Sequence, residues 1–415
     1  MKKVDVAIIG GGIAGCYTAY RLRQLYPSLN LVIIEAEDKL GGRAHTDTFY
    51  GTAVTPGAGV GRLRKDANLQ QLVRDLNVAT STFKTGHDAL AVHDDLCNVE
   101  KDFKMLRRAF VEQQELSPEP LHVTFKDFAS PLLTTNYSTF VACTGFSDYE
   151  DADAADVFFH YGFDDTYTQW TAIAMPWSIL IAAMARDVPR LLRTRVTKLQ
   201  RTRSHAEFIV TCVSKPSSRA SFKVRASQVI IATTASALRA LLPKVELYKH
   251  VHGQPFMKIY GAFDPESAAT LAGALQPGGF TVLPDSPLQK TIRISDAVYM
   301  IAYSDNKNAL ELQRLVRDAA NPLDVLSRLL ETAVRLPANS LRLLDTRVYF
   351  WREGTHYYDP WATGPHTSKV QFIQAAQRPL PGVFVVGECV ALHQGWVEGA
   401  LESVENILPR NFQPV

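Results

Sequence analysis

The sequence predicts an α/β fold in which a doubly wound, nucleotide-binding domain carries an inserted α+β domain. Three observations lead to this prediction. The first 35 residues have the pattern of a βαβ unit, a glycine-rich turn joins its first strand to its helix, and a strand ending in glycine and acid occurs near residue 387. With 415 residues the chain is too long for one ordinary core, so we expect two intertwined domains.

The opening unit contains the glycine pattern that binds a dinucleotide. The apolar run 4–9 is followed by the turn 10–15, by a helix to about Tyr26 and by a second apolar run, 31–34. Glu35 ends that run, where a carboxylate can accept hydrogen bonds from both ribose hydroxyls. The turn presents backbone N–H groups and a helix N-terminus to a diphosphate. The predicted contacts are Gly10, Gly12, Ile13, Ala14, Gly15, Glu35 and Ala36.

A second glycine pair follows this carboxylate. Gly41, Gly42 and Arg43 add backbone donors and a guanidinium, which suit a diphosphate and which a simple nicotinamide dehydrogenase does not need. The run 35–43, EAEDKLGGR, resembles the flavin-dependent amine oxidase superfamily, which includes monoamine, polyamine and L-amino-acid oxidases. This resemblance implies a flavoprotein with FAD as cofactor, a Rossmann-like FAD-binding domain and an inserted substrate domain. Gly42 and Arg43 are then cofactor contacts.

The resemblance also assigns roles in the middle of the chain. The glycine-rich turn 56–61 is expected to pass along the flavin, and Arg62 to pair with the carboxylate of an amino-acid substrate. Val196 is expected to meet the adenine through its backbone. Lys258 is expected to be bridged by water to the flavin N5, where its charge favours reduction. The cofactor contacts predicted in this part are Gly59, Val60, Gly61, Arg62 and Val196.

The last signature lies near residue 390. A strand ends in Gly387 and Glu388, and Gly395 and Trp396 then open a helix. The resemblance implies that Glu388 reaches the ribityl hydroxyls and that the Val397 N–H faces the flavin O2. A helix N-terminus at this place stabilises the negative charge of reduced flavin. The predicted contacts are Gly387, Glu388, Gly395, Trp396, Val397 and Ala400.

Aromatic residues are expected to form the substrate site. Trp351, Tyr357 and Trp396 should converge near the flavin, and Tyr357 and Trp396 match the family's pair of aromatics that hold a neutral amine. Together with Lys258 and Arg62 they are the predicted catalytic residues. No catalytic acid or base is predicted, because the amine is taken to arrive deprotonated.

The leading hypothesis is an L-amino-acid oxidase, because of Arg62. Such an enzyme takes a hydride from the Cα–H, releases an imine that becomes a 2-oxo acid, and reduces O2 to H2O2. Thr355 and His356 replace the cysteine that monoamine oxidases bond to flavin, so the FAD should be non-covalent. The alternatives are a polyamine or monoamine oxidase with Asp164 or Asp165 as tunnel acids, a flavin desaturase or isomerase, and a protein that keeps FAD only as a structural element.

Composition limits the partners. Apolar residues make up 46% of the chain and charged residues 21%, and the net charge is +2, so neither nucleic acid nor an acidic membrane surface is an expected partner. No apolar run approaches the 18 or so residues of a membrane helix, and the first strand starts too early for a signal peptide. Five scattered cysteines predict a reduced, cytoplasmic protein without a disulfide framework or a zinc site. A homodimer is left open.

Domain boundaries follow from these assignments. The FAD-binding domain is predicted to comprise residues 1–78, 184–248 and 379–415, and the substrate domain residues 79–183 and 249–378.

Three local features of the sequence predict surface faces or a helix. The acidic patch 148–156 is interpreted as a solvated helix face and the basic stretch 193–203 as a solvated strand edge. One long helix is predicted from Ala309 to Thr332.

Overall fold

A computed structural model of the chain describes residues 2–89, 98–202, 207–214, 221–275, 280–284, 286–360, 368–408 and 412. Cys97 and Arg203, which entered the sequence-based expectations, lie outside the described residues. No helix within the described ranges is long and apolar enough to cross a membrane.

The described residues form eighteen strands and thirteen α-helices, whose bounds are as follows. The strands are β1 (Lys2–Ile9), β2 (Leu31–Ile34), β3 (Asp47–Phe49), β4 (Thr52–Val54), β5 (Val60–Arg62), β6 (Ser81–Thr85), β7 (His87–Ala89), β8 (Trp170–Ala174), β9 (Arg190–Leu191), β10 (Thr194–Arg201), β11 (Phe208–Ser214), β12 (Ser221–Ile231), β13 (Val251–Phe263), β14 (Phe280–Val282), β15 (Lys290–Arg293), β16 (Val298–Asp305), β17 (Leu343–Tyr358) and β18 (Val383–Val385). The helices are α1 (Ile13–Leu25), α2 (Ala67–Asp75), α3 (Val99–Leu116), α4 (Phe125–Ala129), α5 (Tyr137–Thr144), α6 (Ala154–Phe159), α7 (Trp177–Met184), α8 (Ala235–Leu241), α9 (Pro265–Ala274), α10 (Asn306–Asp318), α11 (Pro322–Ala333), α12 (Lys369–Gln377) and α13 (Val397–Glu405).

The first and last strands of the chain belong to one seven-stranded sheet. Its order is β10-β11-β12-β1-β2-β9, and β18 also pairs with β12. The strands β2, β1, β12 and β18 run parallel. Alternate residues of β1 pack on opposite faces of the sheet, Val6 and Ile8 on one side and Ala7 and Ile9 on the other. Both faces are therefore buried, as expected for a doubly wound sheet, and the predicted α/β class is confirmed.

Two glycines allow α1 to approach the sheet closely. Gly10 has a φ of +102°, and a Cβ there would lie 2.2 Å from the Ala232 carbonyl oxygen. A Cβ on Gly15 would lie 2.0 Å from the carbonyl oxygen of Gly10. Any other residue at either position would push the helix away from the strand.

The second sheet has the order β17-β13-β16-β15-β14-β7, and α10 and α11 cover it. The single helix predicted from Ala309 to Thr332 is wrong, because α10 ends at Asp318 and α11 starts at Pro322. Proline has no N–H to continue the preceding helix, but it is well tolerated in a first turn.

The acidic patch was also interpreted wrongly. Glu150 and Asp153 are buried, and Asp153 caps α6 by accepting a hydrogen bond from the Ala155 N–H. Of the patch acids, only Asp151 is exposed. The patch folds inward because it is interleaved with aromatic residues of the cluster around α3 to α6.

Two further expectations are tested by the fold. The basic strand β10 does form an edge of the first sheet. Cys16, Cys212 and Cys389 are buried free thiols, as a reduced chain requires. Cys143, however, is disulfide-bonded, so the expectation of a reduced chain is wrong at this residue.

Candidate active site

A cavity of about 560 Å³ is lined by residues of both sheets. Most of the predicted cofactor contacts line it, as do two of the predicted aromatic residues. These residues are Gly10, Gly12, Ile13, Ala14, Glu35, Ala36, Gly42, Arg43, Val196, Trp351, Gly387, Glu388, Gly395, Trp396, Val397 and Ala400. Gly15 lies beneath the turn and acts through packing.

The glycine turn presents unoccupied donors to the cavity. Gly12 is the N-cap of α1, no side chain caps the helix, and its first turn contains no acidic residue. The first N–H groups are therefore available to a diphosphate. The Glu35 carboxylate accepts hydrogen bonds from the N–H groups of Gly11, at 2.6 Å, and Glu37, at 2.8 Å. These two bonds fix the carboxylate at the cavity wall, where it can accept ribose hydroxyls.

Glu388 is a hub that joins distant segments. One oxygen accepts hydrogen bonds from the backbone N–H groups of His356 and Gly395, both at 2.9 Å, and the other from Arg43 Nη1 and His356 Nδ1. Burial opposes ionisation, but His356, Arg43 and the Gly395 N–H hold the pKa of Glu388 well below its usual range. Four donors occupy the acceptor sites of the carboxylate, so its predicted contact with ribityl hydroxyls requires one donor to be replaced.

The Glu388 carboxylate fixes the orientation of the His356 ring. Nδ1 lies 2.6 Å from Glu388, and Nε2 accepts the Ala235 N–H at 3.3 Å. With both ring nitrogens engaged and the side chain buried, His356 has no nitrogen free to bond to flavin. Thr355, which lines the cavity, has no thiol, and both observations fit the predicted non-covalent FAD.

The N-terminus of α13 also faces the cavity without a side-chain cap. Its N-cap is Trp396. The acid in its first turn, Glu398, points away and accepts the N–H groups of Asn68 and Leu69 at 2.8 and 3.1 Å. The N–H groups at Val397 thus remain available for an electron-rich ring edge.

The part of the turn before β5 that lines the cavity lies earlier in the chain than predicted. Gly57 and Ala58 line it, whereas Gly59, Val60 and Gly61 do not. A Cβ on Gly57 would lie 2.1 Å from the Arg43 carbonyl oxygen, so the close approach occurs there. The segment from Val60 instead pairs with β8.

Lys258 stabilises this turn through hydrogen bonds to its backbone carbonyl groups. Its side chain is 1% exposed, and Nζ donates to the carbonyl oxygens of Gly57, at 2.6 Å, and Thr55, at 3.3 Å. Burial lowers the pKa of Lys258 to about 7. Lys258 does not line the cavity, so its predicted effect on flavin depends on a contact through the turn.

Arg62 is not available to a substrate carboxylate. Its guanidinium pairs with Asp66 at 2.7 Å and Asp165 at 3.3 Å, and Cζ lies 3.7 Å from the centroid of the Trp396 ring. The side chain is buried and lies outside the cavity. Two carboxylates that desolvation would otherwise penalise hold the arginine in place. The geometry contradicts the predicted carboxylate anchor.

The predicted tunnel acids are also engaged elsewhere. Asp165 pairs with Arg62 and with Lys65, at 2.8 Å, and Asp164 pairs with Lys65 at 2.9 Å. Neither lines the cavity.

The aromatic pair differs from the prediction. Trp351 and Trp396 line the cavity, and Trp351 Nε1 donates to the Pro56 carbonyl at 2.9 Å. Tyr357 lies outside it, stacked on His252 with ring centroids 5.1 Å apart. It lines instead a second, smaller cavity. Tyr357 therefore does not line the main cavity together with Trp396, and the predicted role of this pair in holding an amine stays a prediction.

Sequence reasoning missed an acidic group of residues in the part of the cavity lined by the second sheet. Asp148 and Asp305 both line the cavity, next to Phe146 and Tyr303. Asp305 Oδ1 accepts from the N–H and hydroxyl of Ser147, at 2.9 and 2.5 Å, whereas Oδ2 has no hydrogen-bond partner among the described residues. This part of the cavity therefore presents carboxylate oxygens.

A buried lysine lies behind these acids. Lys290 is fully buried, and its Nζ lies 2.8 Å from the centroid of the Phe146 ring and 4.4 Å from that of Tyr303. Within the described ranges Nζ has no hydrogen-bond partner. Burial lowers the pKa of Lys290, while Asp305 and Asp148 oppose that shift. The sequence KTIR around Lys290 predicts no function for this lysine. Only the structure shows that it is buried among aromatic side chains.

The profile of the family described as flavin containing amine oxidoreductase matches residues 13–405. The chain belongs to this family. Its cofactor is FAD, and the residues present fit it: two helix N-termini without side-chain caps, a glycine turn that approaches the cavity through backbone alone, and a fixed carboxylate at Glu35.

Individual relatives match short segments only. A segment of 53 residues is 49% identical to lycopene beta-cyclase of Pseudescherichia vulneris and covers 13% of this chain and 14% of that protein. A segment of 91 residues is 32% identical to polyamine oxidase 5 of Oryza sativa subsp. japonica and covers 22% and 18%. These matches thus span less than a fifth of each relative.

Solved structures match the whole chain. Wild-type putrescine oxidase bound to putrescine superimposes with a TM-score of 0.71 and 17% identity, covering 97% of this chain and 98% of that one. A double mutant of putrescine oxidase gives the same score and covers 98% of both chains. At this identity the likeness establishes the shared fold.

Proposed function

We propose that the protein oxidises an amine that carries no α-carboxylate, with O2 as the final acceptor and H2O2 as a product. The observation that carries this proposal is the charge of the cavity. Asp148 and Asp305 line it, while Arg62, the residue expected to bind a substrate carboxylate, is engaged by two other acids. An acid-lined cavity attracts an ammonium ion and repels a carboxylate.

The side chains of the cavity have distinct tasks in this reaction. FAD, when bound, supplies the acceptor for the hydride of the substrate Cα–H and is reoxidised by O2. Trp351 and Trp396 offer aromatic faces to the alkyl part and the nitrogen of the amine. Asp305 lies at the cavity wall, where the negative charge of its carboxylate attracts the ammonium group of the substrate. The protein thus positions the carbon next to nitrogen and excludes water.

Two alternatives are less well supported. An L-amino-acid oxidase requires a cation for the carboxylate, and the predicted one is engaged. A flavin desaturase acting on a long hydrocarbon has no use for two carboxylates in its cavity, and the similarity to lycopene beta-cyclase covers only 13% of this chain.

Matched substrate pairs test the proposal. The purified yellow protein is mixed anaerobically with putrescine and L-ornithine, cadaverine and L-lysine, tyramine and L-tyrosine, or phenethylamine and L-phenylalanine. The members of each pair differ only in the α-carboxylate. We expect at least one amine to bleach the flavin absorbance and its amino acid to bleach it at least about 100 times more slowly, as loss of about 3 kcal/mol implies. Faster bleaching by an amino acid than by its amine would overturn the proposal.

We also propose the domain division from the sequence analysis, with the FAD-binding domain in residues 1–78, 184–248 and 379–415. It is supported by the two sheets, since the first sheet draws its strands from these three segments. A cytoplasmic location and a homodimer stay predictions.

A further inference from the structure

Three residues separate the main cavity from a second one. Asp148, Thr355 and Gly395 line both cavities. The second cavity has a volume of about 30 Å³, which is enough for about two water molecules at roughly 10–15 Å³ each. Its further lining includes the polar residues Asp156 and His160. Asp148 therefore connects the substrate side of the protein with a small polar chamber.

The hydrogen bonds of Asp148 leave part of its carboxylate free. Oδ1 accepts the Tyr161 hydroxyl at 2.5 Å, and Oδ2 accepts the Thr355 hydroxyl at 3.4 Å. An ionised carboxylate offers about four acceptor sites, so each oxygen retains one. The side chain is half-buried, and both cavities border it.

The charges around Asp148 come from several elements. Asp305 on β16 and Lys290 on β15 face it, and the hydroxyl of Tyr161 contacts it. Tyr303 on β16 lies close enough for its own pKa to be raised by Asp148. Burial, followed by the charge of Asp305, raises the pKa of Asp148 to about 7, while Tyr161, Lys290 and Thr355 act in the opposite direction. The group thus exchanges its proton near neutral pH.

Titratable groups continue from the small cavity to the surface. The rings of His160 and His393 have centroids 5.7 Å apart, and His393 Nδ1 lies 2.8 Å from Glu402. The His393 side chain is 42% exposed. Burial and the neighbouring His393 lower the pKa of His160, whereas the hydrogen bond to the Glu402 carboxylate raises the pKa of His393. The two opposite shifts favour His393 over His160 as the site of a shared proton.

Oxidation of an amine substrate requires a route by which a proton can leave the site. Free alkylamines resemble lysine, with a pKa of about 10.4, and are cations at neutral pH. A hydride leaves the carbon next to nitrogen only when the nitrogen lone pair is free. We propose that Asp148 takes the proton of the bound ammonium and that this proton leaves through the small cavity by way of His160 and His393. This inference rests on the proposed function.

The proton step is balanced without a redox partner. The N–H bond of the ammonium breaks, its electron pair stays on nitrogen, and an O–H bond forms on the Asp148 carboxylate. The proton then moves to His160 through water in the small cavity, which restores the carboxylate. No group is oxidised or reduced.

Asp148→Asn tests the first step. At pH 8 we expect anaerobic bleaching by putrescine, or by whichever panel amine bleaches the wild-type protein, to slow by about 100- to 10,000-fold. Its rate should then rise about tenfold per pH unit towards the pKa of the free amine, because only neutral amine reacts. Asp151→Asn, which changes an exposed acid nearby, should behave as wild type. A constant ratio of the Asp148→Asn rate to the wild-type rate across pH would overturn the role of Asp148.

A second measurement does not depend on turnover. tert-Butylamine has no hydrogen on the carbon next to nitrogen, so it binds without reacting. Infrared difference spectra of the FAD-loaded wild-type protein at pH 8 should show the C=O stretch of a protonated carboxyl when tert-butylamine is added, and Asp148→Asn should not. Absence of this band in wild type would also overturn the proposal.

The exit is tested by His160→Phe, with His122→Phe as the control at an exposed histidine. A pH-indicator dye in weakly buffered solution should show proton release together with bleaching in wild type and in the control. In His160→Phe the release should lag behind bleaching, and simultaneous release would overturn the exit path. If no amine bleaches wild type, the proposed function itself fails, whereas normal bleaching by Asp148→Asn overturns only this inference.

Discussion

The guanidinium carbon of Arg62 lies 3.7 Å from the centroid of the Trp396 ring, while its nitrogens pair with two buried carboxylates. Trp396 is also the N-cap of α13 and lines the cavity. Arg62 therefore acts on the site through the position of the tryptophan. The positive charge of Arg62, which sequence reasoning assigned to binding a substrate carboxylate, instead stabilises the buried carboxylates of Asp66 and Asp165.

Arg62→Ala is expected to destabilise the protein. Asp66 would remain buried without its cationic partner and Asp165 would keep only Lys65, and a broken buried pair costs about 3–5 kcal/mol. Urea unfolding followed by circular dichroism measures the change in the free energy of unfolding. Arg64→Ala, at an exposed position, is the control and should change this free energy by less than about 0.5 kcal/mol. A loss below about 1 kcal/mol for Arg62→Ala would contradict the buried ion pairs.

Glu35→Ala should weaken FAD binding. The carboxylate is held by the N–H groups of Gly11 and Glu37 at the cavity wall, and hydrogen bonds to a charged group contribute about 1.5–3 kcal/mol. We therefore expect the Kd of FAD, measured by fluorescence titration of the apoprotein, to rise about 10- to 100-fold. Glu37→Gln keeps the backbone donor and provides the control. An unchanged Kd for Glu35→Ala would remove the carboxylate from the ribose site.

Lys290→Met should stabilise the protein near neutral pH. The Lys290 ammonium has no described hydrogen-bond partner, and a buried charge without such a partner carries an uncompensated desolvation cost that methionine does not have. Because the pKa of Lys290 is lowered to about 7 on folding, the unfolded chain binds more protons between pH 7 and about 10.4. Wild-type stability relative to the variant must therefore rise with pH across this window.

The measurement is urea unfolding of both proteins at pH 7 and pH 10. The advantage of Lys290→Met should be largest at pH 7 and smallest at pH 10, since the folded lysine is neutral at pH 10 and no longer carries the cost of a buried charge. An advantage that is independent of pH would mean that Lys290 keeps its ordinary pKa in the folded protein.

Two substitutions should move the pH dependence of bleaching in opposite directions. Asp305 raises the pKa of Asp148 and Lys290 lowers it. Asp305→Asn should therefore shift the acid limb of the bleaching rate to lower pH by about half to one unit, and Lys290→Met should shift it to higher pH by a smaller amount. The Lys290 shift is smaller because that lysine is only partly charged near pH 7. Shifts of the same sign would contradict an acid limb set by Asp148.

The cofactor end of the site could be predicted from sequence because each of its signals is local. Gly12 and Glu35 stand at fixed spacings within one βαβ unit, and Glu388 and Val397 stand within one strand–loop–helix segment. Backbone approach and helix N-termini dictate those residue types whatever the rest of the chain does. The structure places each of these residues at the cavity wall.

The substrate end could not be predicted because its residues meet only through the tertiary fold. Asp148 and Asp305 are 157 positions apart, and Asp305 reaches the cavity because β16 pairs with β13. Arg62 looked available because its partner Asp165 lies 103 positions further along the chain and reaches it only through the tertiary fold. The place of Tyr303 between two buried lysines is visible only in the structure.

The two halves of the FAD cradle, around Arg43 and around Glu388, are joined by a 2.9 Å ion pair across most of the chain. A ribosome adding about 5–20 residues per second would finish the second half on the order of half a minute after the first. During that interval the nascent chain can contain β1 and β12 but not β18. Residues on both sides of this ion pair line the FAD cavity, so the cradle can form only after both segments have been synthesised.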